Sequence, residues 1–257
     1  MNHPTLHSLS NLDLSVVVPC FNENPHIETV LSDWLTELRD LKIQFELILI
    51  NDGSLDGTGR ILDKLRKDNP EVRVIHQLNM GAVRAYRRGI EASKGRHVLT
   101  ISANGRCEPS DFLQLWEQRK SVEMVVAERT HRLDSLAQRM FGRLSQKLAQ
   151  SLFQISLEEP GIEFRLFLRC PVMDALSQVP PGWENFFWAL TVILGHTNPS
   201  IIAQAHVPYR HRIERKSPFQ RKSLFKKAWV HLKEALLLKW HLKKPSPFML
   251  RRPSPTA

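Results

Sequence analysis

Four short apolar runs separated by helix-period segments constrain this chain more than any other feature. Leu14–Pro19, Phe45–Ile50, Val72–His76 and His97–Ile101 are rich in β-branched and aliphatic residues. After the first run, Ile27, Val30, Leu31, Trp34, Leu35 and Leu38 recur at alternating steps of three and one. Ile61, Leu62 and Leu65 follow the second run, and Gly81–Ser93 follows the third. Strands alternating with amphipathic helices at this spacing predict an α/β fold, a mostly parallel Rossmann-like sheet with helices on both faces. Asn24-Pro25 reads as the start of the first helix, an N-cap residue followed by proline at the first helical position. Ligands of such sheets collect outside the carboxyl ends of the strands. Phe21–Glu23, Asn51–Ser54 and Ser102–Arg106 all fall there, so the three segments are expected to converge.

The second half is less regular. Met124–Ala127 reads as a strand, and Leu133–Ile155 carries apolar residues at helical spacing. Pro160-Gly161 breaks that helix, and Phe164–Leu168 reads as a short strand. Trp183–Trp188 opens an aromatic-rich helix of core character, and Ile201–Tyr209 reads as another strand. Glu184, in that aromatic segment, is a candidate base only for a hydroxyl acceptor.

Charge marks the end of the chain. Of 36 Lys and Arg, 14 lie from Tyr209 onward, against 2 of the 26 acidic residues. Phe225, Trp229, Leu232, Leu236 and Trp240 form a stripe there, surrounded by Lys222, Lys226, Lys227, Lys233 and Lys239. A basic amphipathic helix with tryptophans is suited to an anionic membrane surface. Packing of its apolar stripe on the domain or on a second subunit is the competing reading. Nucleic acid is the weaker partner, because no reader motif accompanies the basic residues.

No run approaches the roughly 18 apolar residues of a membrane span. Met1–Asp13 has neither a basic start nor an apolar core, so it does not read as a signal peptide. The three cysteines form no C-x-x-C pair and the eleven histidines no metal-binding spacing. We therefore expect no disulfide framework and no zinc site, and a cytoplasmic protein peripheral to the inner face of the membrane. The expected divisions are a tail over 1–13, a domain over 14–219 with halves at 14–130 and 131–219, and a basic helix with a disordered tail over 220–257.

Four motifs then carry a resemblance. V-V-V-P-C-F-N-E (Val16–Glu23), L-I-N-D-G-S-L-D-G-T (Leu49–Thr58), N-M-G-A-V-R-A-Y-R-R-G (Asn79–Gly89) and the turn Thr100–Pro109 occur in one order. That order and spacing resemble the inverting GT-A fold glycosyltransferases, which include dolichyl-phosphate mannose synthases and bacterial polyprenyl-phosphate glycosyltransferases. The likeness is strong over roughly Leu14–Arg129 and weaker over Glu159–Phe219. It implies transfer of a sugar from a UDP- or GDP-sugar, with inversion, and polyprenyl phosphate is the expected acceptor. An integral-membrane partner is compatible with such an acceptor.

The resemblance also assigns residues. Pro19, Phe21 and Glu23 would line the base and ribose pocket, with Asp52 bonded to the base and Ile50 packed beside it. Gly53 and Ser54 would let their turn run close to the ligand, and Asn79 and Gly81 would shape the loop before the third helix. Arg129 would face the phosphates. Glu159 and Arg165 fall in a segment resembling D-x-x-x-G-F-R-x-F and would serve the acceptor side, with Glu163 replacing a small residue. Arg212 and Lys216, in a loop resembling R-x-x-G-x-S-K-[YF], would hold phosphates.

One motif departs from the pattern. Where the resemblance expects D-x-D, whose carboxylates hold Mg²⁺ or Mn²⁺, this chain has Ser102-Ala103-Asn104. These residues still belong to the expected donor pocket, with Asn104 left as a weak metal ligand. Serine and a neutral amide suit a hard cation poorly. Arg106, two residues on, can pair with a diphosphate through two N–H groups. The expectation is therefore chemistry that needs metal weakly or not at all, with Arg106 and Arg129 as the catalytic cations. A non-catalytic relative that keeps the nucleotide pocket is the alternative. A nucleotidyltransferase is disfavoured, because no glycine-rich basic phosphate loop follows the first strand.

Overall fold

Leu14–Cys20 (β1) is apolar along both faces, and it lies inside the sheet with all but Pro19 buried. The computed structural model describes residues 12–130, 136–196, 198–208 and 224–243. Its strands continue as β2 (Phe45–Asp52), β3 (Val72–Gln77), β4 (His97–Thr100), β5 (Met124–Thr130), β6 (Arg165–Leu168) and β7 (Ile202–Pro208). They form one seven-stranded sheet in the order β3-β2-β1-β4-β6-β5-β7. β6 runs antiparallel to β4 and β5, and every other pairing is parallel. The expected α/β architecture is therefore present.

The helices are α1 (Ile27–Asp40), α2 (Thr58–Asp68), α3 (Ala82–Ala92), α4 (Phe112–Gln118), α5 (Leu136–Phe153), α6 (Arg169–Gln178), α7 (Phe186–Gly195) and α8 (Leu224–Lys243). The apolar stripe read in α1 is buried throughout, from Ile27 to Leu38. Gly89 lets α3 lie directly on β1, since a Cβ there would come within 2.2 Å of the Val17 side chain. At the amino end of the strands, Ser15 and Glu46 are buried polar groups with partners. Ser15 Oγ donates to Glu46 at 2.7 Å, Lys94 N and Gly95 N donate to Ser15, and Arg73 pairs with Glu46. Paired this way, the two groups avoid the cost of lone polar burial.

Two boundaries differ from expectation. α1 begins at Ile27 with His26 at its N-cap, and Asn24-Pro25 is a cis peptide before it. Asn24 makes its hydrogen bonds to the next loop and so does not cap the helix. The aromatic helix begins at Phe186, three residues after Trp183. α8 carries apolar residues on two faces. His231, Glu234, Ala235 and Leu238 are buried against the domain, while Trp229, Leu236, Leu237 and Trp240 are exposed. Among the described residues, no helix is long and apolar enough to cross a membrane.

Candidate nucleotide-sugar site

The loops after β1 and β2 are stitched together by side chains bonding to backbone. Asn22 N donates to Ser54 Oγ at 3.1 Å, and Leu55 N donates to Asn22 Oδ1 at 2.8 Å. Glu23 N and Asn24 N both donate to Thr58 Oγ1. Asp56 receives Thr58 N, Thr58 Oγ1 and Asn24 N. Burial pushes the Asp56 carboxyl up, but those donors outweigh it and hold it below the usual range. Asn51 closes the turn, accepting from Ser54 N through Oδ1 while its Nδ2 meets His76 Nδ1 at 2.9 Å. Of these, Glu23 and Ser54 stood among the site residues expected from sequence. Asn22, Asn51, Asp56 and Thr58 were missed, although three of them lie inside the N-D-G-S-L-D-G-T motif.

The loop after β3 joins the same cluster. Gly53 has φ +73°, and a Cβ on it would sit 2.7 Å from Asn79 N, so only glycine lets the two loops touch. Asp52 is buried and its carboxylate is spent on this loop. Oδ1 accepts from Gln77 Nε2 at 2.7 Å and Met80 N at 2.9 Å, and Oδ2 accepts from Gly81 N at 2.9 Å. Asp52 thus fastens the β3–α3 loop. Ile50 is fully buried. Pro19 and Glu23 are partly exposed and Phe21 is exposed at this end of the sheet, with Leu55, Leu78 and Met80 also exposed on the adjoining loops.

The turn after β4 folds on itself. Ser102 Oγ donates to Asn104 Oδ1 at 2.7 Å, and Arg106 N donates to the same oxygen at 3.1 Å. Gly105 has φ +69°, and Ala103 is buried beneath the turn. Cys107 Sγ lies 3.8 Å from Ser102 Oγ, and burial, then the Glu163 charge, pushes its thiol up to about 12. β4 pairs with β6 as far as Thr100 with Arg165, and Thr100 Oγ1 donates to Glu163 O at 2.5 Å. Glu163, read from sequence as replacing a small residue, therefore lies beside this turn.

Two expected phosphate ligands are engaged elsewhere. Arg129, at the end of β5, donates from N, Nε and Nη2 to both oxygens of the buried Glu159 at 2.7–3.2 Å. Its charge is thus matched by a carboxylate. Arg165 is wholly buried. Its guanidinium donates to Phe187 O at 3.1 Å, Thr191 Oγ1 at 2.7 Å, and the carbonyls of Pro160 and Ile162. Burial pulls its pKa down to about 9, which leaves it charged at neutral pH. Arg165 ties the 160–162 turn to α7 with no donor facing solvent, a position that does not favour the expected role on the acceptor side. Arg212 and Lys216 lie outside the described residues.

The profile of the family described as Glycosyl transferase family 2 matches residues 15–171. The chain belongs to glycosyl transferase family 2. One relative in it is a dolichyl-phosphate beta-glucosyltransferase of Dictyostelium discoideum, 31% identical over 72% of this chain and 61% of its own length. Another is an undecaprenyl-phosphate 4-deoxy-4-formamido-L-arabinose transferase of Pseudomonas fluorescens, 30% identical over 63% of this chain and 49% of its own. The chain thus spans about half to three fifths of the length of these two relatives. Glucosyl-3-phosphoglycerate synthase of Mycobacterium tuberculosis, solved with Mn²⁺, UDP-glucose and phosphoglyceric acid, shares the fold. Its TM-score is 0.66 at 18% identity, covering 87% of this chain and 80% of that one.

A divalent metal therefore accompanies a solved structure of this fold, but the turn Ser102–Arg106 does not fit one. Neither position that would supply a carboxylate has one, and Asn104 Oδ1 already accepts two hydrogen bonds within the turn. Among the described residues, no three His, Cys, Asp or Glu gather as a metal-binding group. Asn104 is a closing residue of the turn in this geometry and not a free ligand.

Proposed function

We propose that this glycosyl transferase family 2 chain moves a sugar from a nucleotide-diphosphate sugar to a polyprenyl phosphate at a membrane surface. The observation that supports it most is the interlocking of three strand-end loops beside the Ser102–Arg106 turn, built from the motifs of the family. Polyprenyl phosphate as acceptor is supported by the names of the two curated relatives. An ionised lipid phosphate needs no general base. Its oxygen attacks the anomeric carbon from the face opposite the diphosphate. The anomeric bond to the diphosphate oxygen breaks, that oxygen keeps the electron pair, and the configuration inverts.

Arg106 is the cation we place against the leaving diphosphate, with Ser102 and Asn104 shaping the turn that carries it. Arg129 contributes through its pair with Glu159, and its net attraction for phosphate is correspondingly smaller. No step is assigned to a metal. Labelled UDP- and GDP-sugars incubated with membrane lipid extract, with and without chelator, test the proposal. Chelator-resistant label in the lipid fraction is expected. Transfer that stops with chelator would refute the metal-free account, and no transfer from any donor would refute the enzyme.

A second reading, a non-catalytic nucleotide-binding relative, is favoured by the same Glu159 pair and the self-closed Asn104. Both readings predict that Arg106→Ala weakens UDP or GDP binding, by roughly tenfold for the loss of a charge-assisted pair. Calorimetry at constant salt measures it, and an unchanged affinity would remove Arg106 from the site. Peripheral attachment to the membrane through α8 belongs to the same proposal.

A further inference from the structure

α8 has two stripes of opposite character. The outer one holds Lys226, Trp229, Lys233, Leu236, Leu237 and Trp240 at helical spacing, with Trp229 69% and Trp240 55% exposed. The inner one is polar at its centre. Glu234 accepts from Glu184 N at 2.9 Å, Asn185 N at 3.1 Å and Asn185 Nδ2 at 2.7 Å. These amides precede α7, whose N-cap residue Asn185 makes no side-chain cap of its own. A carboxylate from α8 therefore supplies the acceptors and the negative charge that the start of α7 calls for. His231, three residues earlier, meets Ser145 Oγ of α5 at 2.9 Å and lies edge-on to Trp188 of α7 at 4.7 Å.

We propose that α8 couples an anionic lipid surface to the segment 183–186, its outer stripe docking on lipid while Glu234 fixes the start of α7. The inference rests on the membrane reading of α8 given above. The lipid occupant follows from charge and side-chain type: lysines among tryptophans and leucines suit the interface of an anionic bilayer. The inner stripe is unsuited to lipid, because Glu234 and His231 would lose their partners there. Each stripe thus has one suitable environment. Most of a helix's stability in a protein comes from packing its apolar face, and the outer face of α8 is exposed. A lipid surface that holds α8 helical lowers the cost of seating Glu234, and by linkage the seated helix binds lipid better. Glu184 and Asn185 are on the half of the chain expected to receive the acceptor, so lipid contact would order that side when acceptor is present.

Hydrogen exchange on the full chain tests this, with vesicles of phosphatidylcholine alone or mixed with phosphatidylglycerol. Mixed vesicles are expected to bind the protein on flotation and to slow exchange at Glu184, Asn185 and the first turn of α7, by roughly fivefold or more. Glu234→Gln should still float, since the outer stripe is intact, but should lose most of that slowing. Flotation without any change at 184–186 overturns the coupling and leaves the membrane reading standing. Failure to float overturns both. A dimer dispersed by Trp229→Ser with Trp240→Ser, in a protein that does not float, would make a second copy the occupant and overturn the lipid.

Discussion

Asp52 and Asp56 stand four residues apart, and both carboxylates are taken up inside the loops, Asp52 by the β3–α3 loop and Asp56 by Asn24 and Thr58. The motif marked the turn as important, and the strands' carboxyl ends marked where it would lie. The motif did not show whether a carboxylate faces a ligand or a neighbouring loop's amides, because that depends on which loop arrives beside it. Asn51 and Thr58 went unread for the same reason, since their partners lie 25 and 34–35 residues away in sequence. Gly53 offers a sharp test of the interlock. Gly53→Ala must take an alanine to positive φ and push Asn79 N from a 2.7 Å approach. It should cost about 1–3 kcal/mol in urea unfolding and weaken UDP or GDP binding in the same protein. A variant with normal affinity would show that the contact between the loops does not shape the pocket.

At the scale of elements, apolar patterning located all seven strands and most helices, because burial on both faces of a sheet leaves a strong signature. Pairing was less legible. Nothing in Phe164–Leu168 announces that this strand inserts antiparallel between β4 and β5, a position that depends on distant partners. α8 was legible as an apolar-basic helix, but its inner stripe was not, since His231 and Glu234 look like surface residues until their partners are known. The acid response of α8 follows from His231. Burial lowers its pKa to about 4, from an ordinary value near 6.5, and among the described residues its Nδ1 has no hydrogen-bond partner. Above pH 6.5 the ring is neutral both docked and undocked, and docking is at full strength. As pH falls from 6.5 toward 4 the undocked ring takes a proton that the docked ring resists, so docking weakens progressively. The loss reaches on the order of 3 kcal/mol. Nearby Glu234 does not offset it, because its oxygens are held by Glu184 and Asn185. Exchange of α8 amides, corrected for intrinsic rate, should accelerate between pH 7 and pH 5, and His231→Leu should flatten the profile. Equal acceleration in that variant would assign the effect to another group.

The whole molecule is built around a sheet that ignores the division into a donor half and an acceptor half. β4 comes from the first and β6 from the second, yet they are direct neighbours, and β6 in turn carries β5 and β7. Arg165 on β6 reinforces the join by holding the 160–162 turn and α7 together from inside the core. Removing either half would leave an apolar strand edge without its partner, an outcome that folding avoids. The two halves should therefore unfold together. Calorimetry should show one transition whose measured enthalpy equals its van't Hoff enthalpy. UDP or GDP, which we propose the loops of the first half bind, should move that single transition upward as a unit, by an amount set by concentration over Kd. A ligand that raised one transition and left another in place would mean that β6 does not transmit stability across the sheet. The site would then stand on the first half alone.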